Sequence, residues 1–115
     1  MKTKGLVSII IRTKNEERWI GSCLKKIFEQ TYKKFEIIIV DNLSDDKTLD
    51  KDRNFKIKKI IKIKNFLPGK ALNEGISKSN GEYIACISAH CIPKNKFWLS
   101  CLVSAIKNEK KFAAV

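Results

Sequence analysis

The chain has 115 residues, 43% of them hydrophobic, which suffices for one modest core and leaves no room for a second domain. Lys and Arg number 24 against 12 Asp and Glu, a formal charge of +12 that favours phosphates and acidic surfaces as partners. Lysine supplies 21 of those 24 cations, the pattern of solvated faces and not of arginine-rich readout, so nucleic acid is ranked out as a partner.

The run 6–11, LVSIII, is β-branched and too short for a buried helix, and polar Arg12-Thr13-Lys14-Asn15-Glu16 follows it. It predicts a buried parallel strand. Over 17–30, Ile20, Cys23, Leu24, Ile27 and Phe28 recur at helical spacing while Lys25, Lys26 and Glu29 face water. Asn15 is expected to cap that helix, with Glu16 and Glu17 in its first turn. The run 35–40 predicts a second buried strand that delivers the polar loop 41–46, followed by a short helix over 47–53. Residues 55–63 predict a third strand, basic on one side as a sheet edge requires.

After a loop at 66–69, a helix is predicted over 70–79 with Ala71, Leu72, Gly75 and Ile76 inward. A strand then ends at Ser88, and a helix beyond Pro93 packs Trp98, Leu99, Leu102, Val103 and Ile106. This βαβαβαβα order calls for an α/β fold, a three-layer α/β/α sandwich with a mainly parallel sheet. Residues 111–115 open another apolar run without a turn after it, so the single domain over 1–115 is expected to be truncated at its C-terminus. Cys23, Cys86, Cys91 and Cys101 contain no Cys-x-x-Cys pair, which fits reduced cytosolic thiols. No signal-peptide pattern and no membrane-spanning apolar run is present in the sequence.

In a parallel α/β sheet, ligands gather at the carboxyl ends of the strands, here 12–16, 41–46, 64–70 and 88–93. The series VSIIIRTKNEERWIGSCLKKIFEQTYKKFEIIIVDNLSDDKT, then GKALNEGISKSNGEYIACISAHCIP, resembles the nucleotide-binding half of the family 2 glycosyltransferases of the GT-A fold. The likeness runs from about Leu6 to Val115 and rests on five motifs in order. It implies a Rossmann-like half that binds a nucleotide-diphosphate sugar. It further implies an inverting, cytoplasmic enzyme that serves a glycan or lipid-linked acceptor in bacterial cell-surface polysaccharide synthesis, with peripheral association at the inner face of the membrane.

Carried over by position, the family's Pro-Thr-x-Asn-Glu is matched by Arg12-Thr13-Lys14-Asn15-Glu16, with Arg12 where proline stands. The resemblance gives Arg12, Thr13, Asn15 and Glu16 to base and ribose; on physical grounds Asn15 and Glu16 also suit a helix cap. Asp41-Asn42-Leu43-Ser44 matches Asp-Asp-x-Ser, which makes Asp41 and Asn42 contacts of the base, although a carboxylate there is also an ordinary turn former. Residues 69–75 match the family's basic residue and Asn-x-Gly helix, giving Lys70 and Asn73 to the diphosphate.

Ser88-Ala89-His90 stands where the family carries Asp-x-Asp, which holds a divalent cation, Mn or Mg, against the phosphates. That leaves His90 as the one metal-ligating residue, a donor better suited to manganese than to magnesium. The alternatives are a protonated His90 working with nearby lysines in place of metal, or a chain without transfer activity. A zinc site from Cys86, His90 and Cys91 is disfavoured by strand alternation. No residue matches the family's acceptor-side base, so no catalytic residue is named. The rival reading is a non-catalytic nucleotide-binding α/β module, against which stands the lack of a Gly-rich phosphate loop.

Overall fold

The computed structural model describes residues 2–48, 55–64 and 68–109. Strands β1 (Thr3–Thr13), β2 (Phe35–Asp41), β3 (Lys59–Lys62) and β4 (Gly81–Ser88) form one sheet in the order β3-β2-β1-β4. Every pairing is parallel. The helices are α1 (Ile20–Phe28), α2 (Pro68–Ser77) and α3 (Trp98–Glu109).

Alternation along the strands divides the isoleucines between two faces. Ile9, Ile11, Ile37 and Ile39 cluster with Ile20, Cys23, Leu24 and Ile27 of α1 and with Leu99 and Val103 of α3. Ile10, Ile38, Val40, Ile63 and Cys86 form the other cluster, packed by Ile76 of α2. Helices therefore cover both faces, as the continuous apolar runs require, and each buried isoleucine contributes about 1.5–3 kcal/mol. Gly75 lets α2 approach closely, since a Cβ there would lie 2.6 Å from Ile10 Cγ2.

Two polar clamps join the elements. Gln30 is buried, and its Nε2 donates to the carbonyls of Lys26 at 3.1 Å and Asn95 at 2.7 Å. Its Oε1 accepts the Leu99 amide at 2.9 Å, so one side chain satisfies both the end of α1 and the first turn of α3. Near the starts of β2 and β4, Glu36 Oε2 accepts the Ser8 hydroxyl at 2.5 Å and the Asn80 amide at 2.7 Å, while Oε1 lies 3.0 Å from Lys58 Nζ. Burial pushes the Glu36 carboxyl up, but the Asn80 amide, the Ser8 hydroxyl and the Lys58 ammonium outweigh it and hold the group below its ordinary value.

Several expectations need correction. Helix α1 starts at Ile20, three residues late, with no acidic residue in its first turn and no side-chain cap from Trp19, which precedes it. Asn15 does not cap it: this residue has φ 52° and its Oδ1 accepts the Asp45 amide at 2.9 Å. Strand β3 lies at the edge as expected but covers only 59–62 of the anticipated 55–63. Residues 49–53 of the anticipated 47–53 helix, residues 65–67 and the 111–115 run lie outside the described residues.

All four cysteines are free thiols, and burial pushes Cys23 up to about 12 and Cys86 up to about 11. Among the described residues, no helix is long and apolar enough to cross a membrane.

Candidate functional site

Strands β2 and β3 lie on one side of β1 and β4 on the other, so the sheet has its topological switch point at β1. The crevice such a reversal opens falls at the carboxyl ends of β1 and β4. A cavity of about 230 Å³ occupies that place, lined by Arg12, Thr13, Lys14, Glu16, Ser88 and His90.

The strand register builds its floor. Arg12 pairs with Ser88, and the Ala89 amide extends the ladder to the Arg12 carbonyl at 3.2 Å. The chain then turns, closed by the Cys91 amide donating to the Ser88 carbonyl at 2.9 Å. His90 Nδ1 comes to lie 3.0 Å from Ser88 Oγ and 3.4 Å from Glu16 Oε1. The imidazole side chain is 58% exposed and the carboxylate 16%, so Glu16 is the inner partner of that pair.

The other wall comes from the loop after β1, which the loop after β2 backs through hydrogen bonds. The amide of Asn42 donates to the Thr13 carbonyl at 2.9 Å, that of Asn15 to the Ser44 hydroxyl at 2.8 Å, and that of Glu16 to the Thr48 hydroxyl at 2.7 Å. The Lys14 ammonium donates to the Leu43 carbonyl at 3.1 Å, and the Glu17 amide to Asp46 Oδ2 at 3.3 Å. Burial pushes the Asp46 carboxyl up, but the hydroxyl and amide of Thr48 and the amide of Glu17 outweigh it, so it sits below the usual carboxylate value. Asp41 supports the pair from beneath, fully buried, accepting the Thr13 hydroxyl, the Ser44 amide at 2.8 Å and the Ser44 hydroxyl at 2.6 Å. Asn15 and Leu43 hold left-handed backbone, φ 52° and 47°, at about 1–3 kcal/mol each, and the loop bonds maintain it.

Of the residues singled out from sequence, Arg12, Thr13, Glu16, Ser88 and His90 meet at the cavity. Asn15, Asp41 and Asn42 belong to the loop pair behind it, and Ala89 is buried under the turn. Asn73 is exposed on α2, and the Lys70 side chain lies outside the described residues. Sequence reasoning passed over Lys14 as a lining residue and Ser44, Asp46 and Thr48 as the loop frame. The Asp41-x-x-Ser44 spacing of a side-chain-closed turn was an available signal for Ser44. Thr48 had none, because its partner Glu16 is 32 residues away.

As a site for a hard divalent cation the donor set fits poorly. It offers one carboxylate, one imidazole and the hydroxyls of Ser88 and Thr13, the latter already donating to Asp41, with Arg12 and Lys14 lining the same space. Among the described residues no three of His, Cys, Asp and Glu gather as metal ligands, the Cys86, His90 and Cys91 combination included.

Solved structures share this architecture. TarS of Staphylococcus aureus in complex with UDP-GlcNAc superposes with a TM-score of 0.75 at 27% identity, over 96% of this chain and 32% of that one. The mannosyltransferase PcManGT of Pyrobaculum calidifontis, in complex with GDP-Man and Mn2+, gives 0.80 at 25% identity over 87% of this chain and 32% of its own. The fold is thus the Rossmann-like GT-A fold of the glycosyltransferases. Residues 8–115 match the family model described as glycosyl transferase family 2, and the chain belongs to that family. A relative in Methanococcus voltae, dolichyl N-acetyl-alpha-D-glucosaminyl phosphate 3-beta-D-2,3-diacetamido-2,3-dideoxy-beta-D-glucuronosyltransferase, is 41% identical over 101 residues, 81% of this chain. This chain spans 32% of the length of that relative.

Proposed function

We propose that this chain is the donor-binding part of a glycosyltransferase, which takes a sugar from a nucleotide-diphosphate sugar to a glycan or lipid-linked acceptor. The observation that carries the reading is the cavity at the switch point, where Arg12, Thr13, Lys14, Glu16, Ser88 and His90 converge on the carboxyl ends of β1 and β4. At about 230 Å³ it is smaller than the roughly 300–1,000 Å³ of whole-ligand pockets, so it receives the diphosphate end. The nucleoside lies over the Asn15 and Asn42 loops, which Asp41 fixes from below. Helix α2 runs back from the strand ends, and its first-turn amides, with Lys70 and Asn73, add to the phosphate contacts.

In the transfer, an acceptor hydroxyl oxygen bonds the anomeric carbon while the bond from that carbon to the diphosphate oxygen breaks, leaving its electron pair on the diphosphate. The hydroxyl proton passes to a base, and displacement from the opposite face inverts the anomeric centre. The base and acceptor site are assigned to sequence beyond the matched third of the relatives. A polymeric or lipid-linked acceptor is supported by two relatives' names, the M. voltae enzyme named for a dolichyl sugar phosphate and the poly(ribitol-phosphate) beta-N-acetylglucosaminyltransferase TarS. We extend the reading to surface polysaccharide synthesis at the cytoplasmic face of a membrane, where a +12 chain meets acidic lipid.

Calorimetric titration with UDP, GDP, CDP and dTDP tests the reading. One or more of them is expected to bind. Absence of binding by all four at millimolar concentration, in a sample with a cooperative melt, overturns it.

A further inference from the structure

We propose that the diphosphate is held in this chain by fixed protein cations, Arg12 foremost with Lys14, and not through a divalent metal ion. The inference rests on the donor-site reading and specifies what neutralises the phosphates there.

Position comes first. Arg12 is the register partner of Ser88, directly beside the turn that carries His90, and both residues line the cavity. Arginine keeps its charge at any working pH, and its planar fork suits two phosphate oxygens at once. Lys14 lines the same cavity from the loop.

Charge decides between cation and metal. A pair of aspartates with a divalent ion brings no net charge of its own, two negatives against two positives. Here Ser88 and His90 bring no carboxylate, while Arg12, the register partner of Ser88, brings a fixed positive charge. The lining carries Arg12 and Lys14 beside the one carboxylate of Glu16. A divalent ion would add two more positive charges, with a single carboxylate to receive it. That carboxylate already faces the His90 ring at 3.4 Å. A diphosphate instead meets two cations of the lining, and the +12 chain favours its approach.

Calorimetry with UDP and GDP, each in EDTA and in Mn2+, tests this on the wild-type chain and on Arg12→Gln, Lys14→Gln and the double variant Ser88→Asp/His90→Asp. Wild-type affinity should differ between the two media by less than about fivefold, the lower end of coupled binding equilibria. Arg12→Gln should weaken binding roughly ten- to hundredfold, as loss of a charge-assisted hydrogen bond does. Lys14→Gln, an exposed change that spares the fold, should weaken it less. The double aspartate variant should acquire Mn2+ binding in the absence of nucleotide, and the wild type should show none. Wild-type binding that collapses in EDTA overturns the metal-free inference and leaves the donor site standing. Unchanged affinity in both Arg12→Gln and Lys14→Gln overturns it as well. No nucleotide binding in either medium overturns the donor-site reading itself.

Discussion

Thr13 and Asp41 are register partners at the ends of β1 and β2, and the Thr13 hydroxyl donates to the Asp41 carboxylate with both side chains buried. Asp41 therefore ties the central strand to the loop that frames the cavity, through Ser44 as well as through Thr13. Asp41→Ala leaves the Ser44 amide and two hydroxyls without their acceptor. Stability should fall by about 1–3 kcal/mol, and nucleotide affinity should fall with it as the loop loosens. Denaturant midpoints and a UDP titration measure both, and an unchanged midpoint would dismiss the latch.

Gly75→Ala sets a methyl 2.6 Å from Ile10 Cγ2 in the second core cluster. Overpacking of this kind costs about 1–3 kcal/mol. Ile10→Ala removes the obstructing atoms at its own expense, so the double variant should lose less stability than the two single losses added together. Strict additivity would mean that α2 simply moves away.

Gln30→Ala removes the clamp between α1 and α3, leaving the Leu99 amide and the Asn95 carbonyl without this partner. A loss of about 1–3 kcal/mol is expected. The Leu99 amide should also exchange with solvent faster, and unaltered hydrogen exchange at Leu99 would refute the clamp.

Glu36 sets an acid limit on stability. Its carboxyl is held below its unfolded value of about 4.3, so its contribution is fully present above that pH. The contribution is lost as pH falls through the lower folded value. Urea midpoints followed from neutral pH into the acid range should show this decline, and Glu36→Gln should flatten it while lowering stability at neutral pH. A variant as acid-sensitive as the wild type would assign the decline to other carboxylates.

The strands were readable because their signal is local. Runs such as Ile9-Ile10-Ile11 and Ile37-Ile38-Ile39 have no polar face to confuse the period, and both sheet faces are in fact covered. Asn15 was misread because local cap chemistry competes with a bond to Asp45 across the loop pair, and the tertiary bond prevails. Strand β3 was overextended for a related reason: basic residues mark an edge without marking where pairing stops. At the site, Arg12 to Glu16 and Ser88 to His90 could be chosen from their places at strand ends. The contact between Glu16 and His90, 74 residues apart, could not be read, because only the folded crevice brings them together.

Strand order also governs how the polypeptide matures on the ribosome. Among the described residues no two neighbouring strands can close as a hairpin, for each parallel pair needs an intervening crossover. Val7 waits for Phe35 on one side and for Tyr83 on the other. Until residues through Ser88 have emerged, the Ile9-Ile10-Ile11 segment has an unpaired edge open to other nascent copies. Productive folding is then a race between elongation and self-association, and slower initiation or lower temperature during expression will favour the folded product.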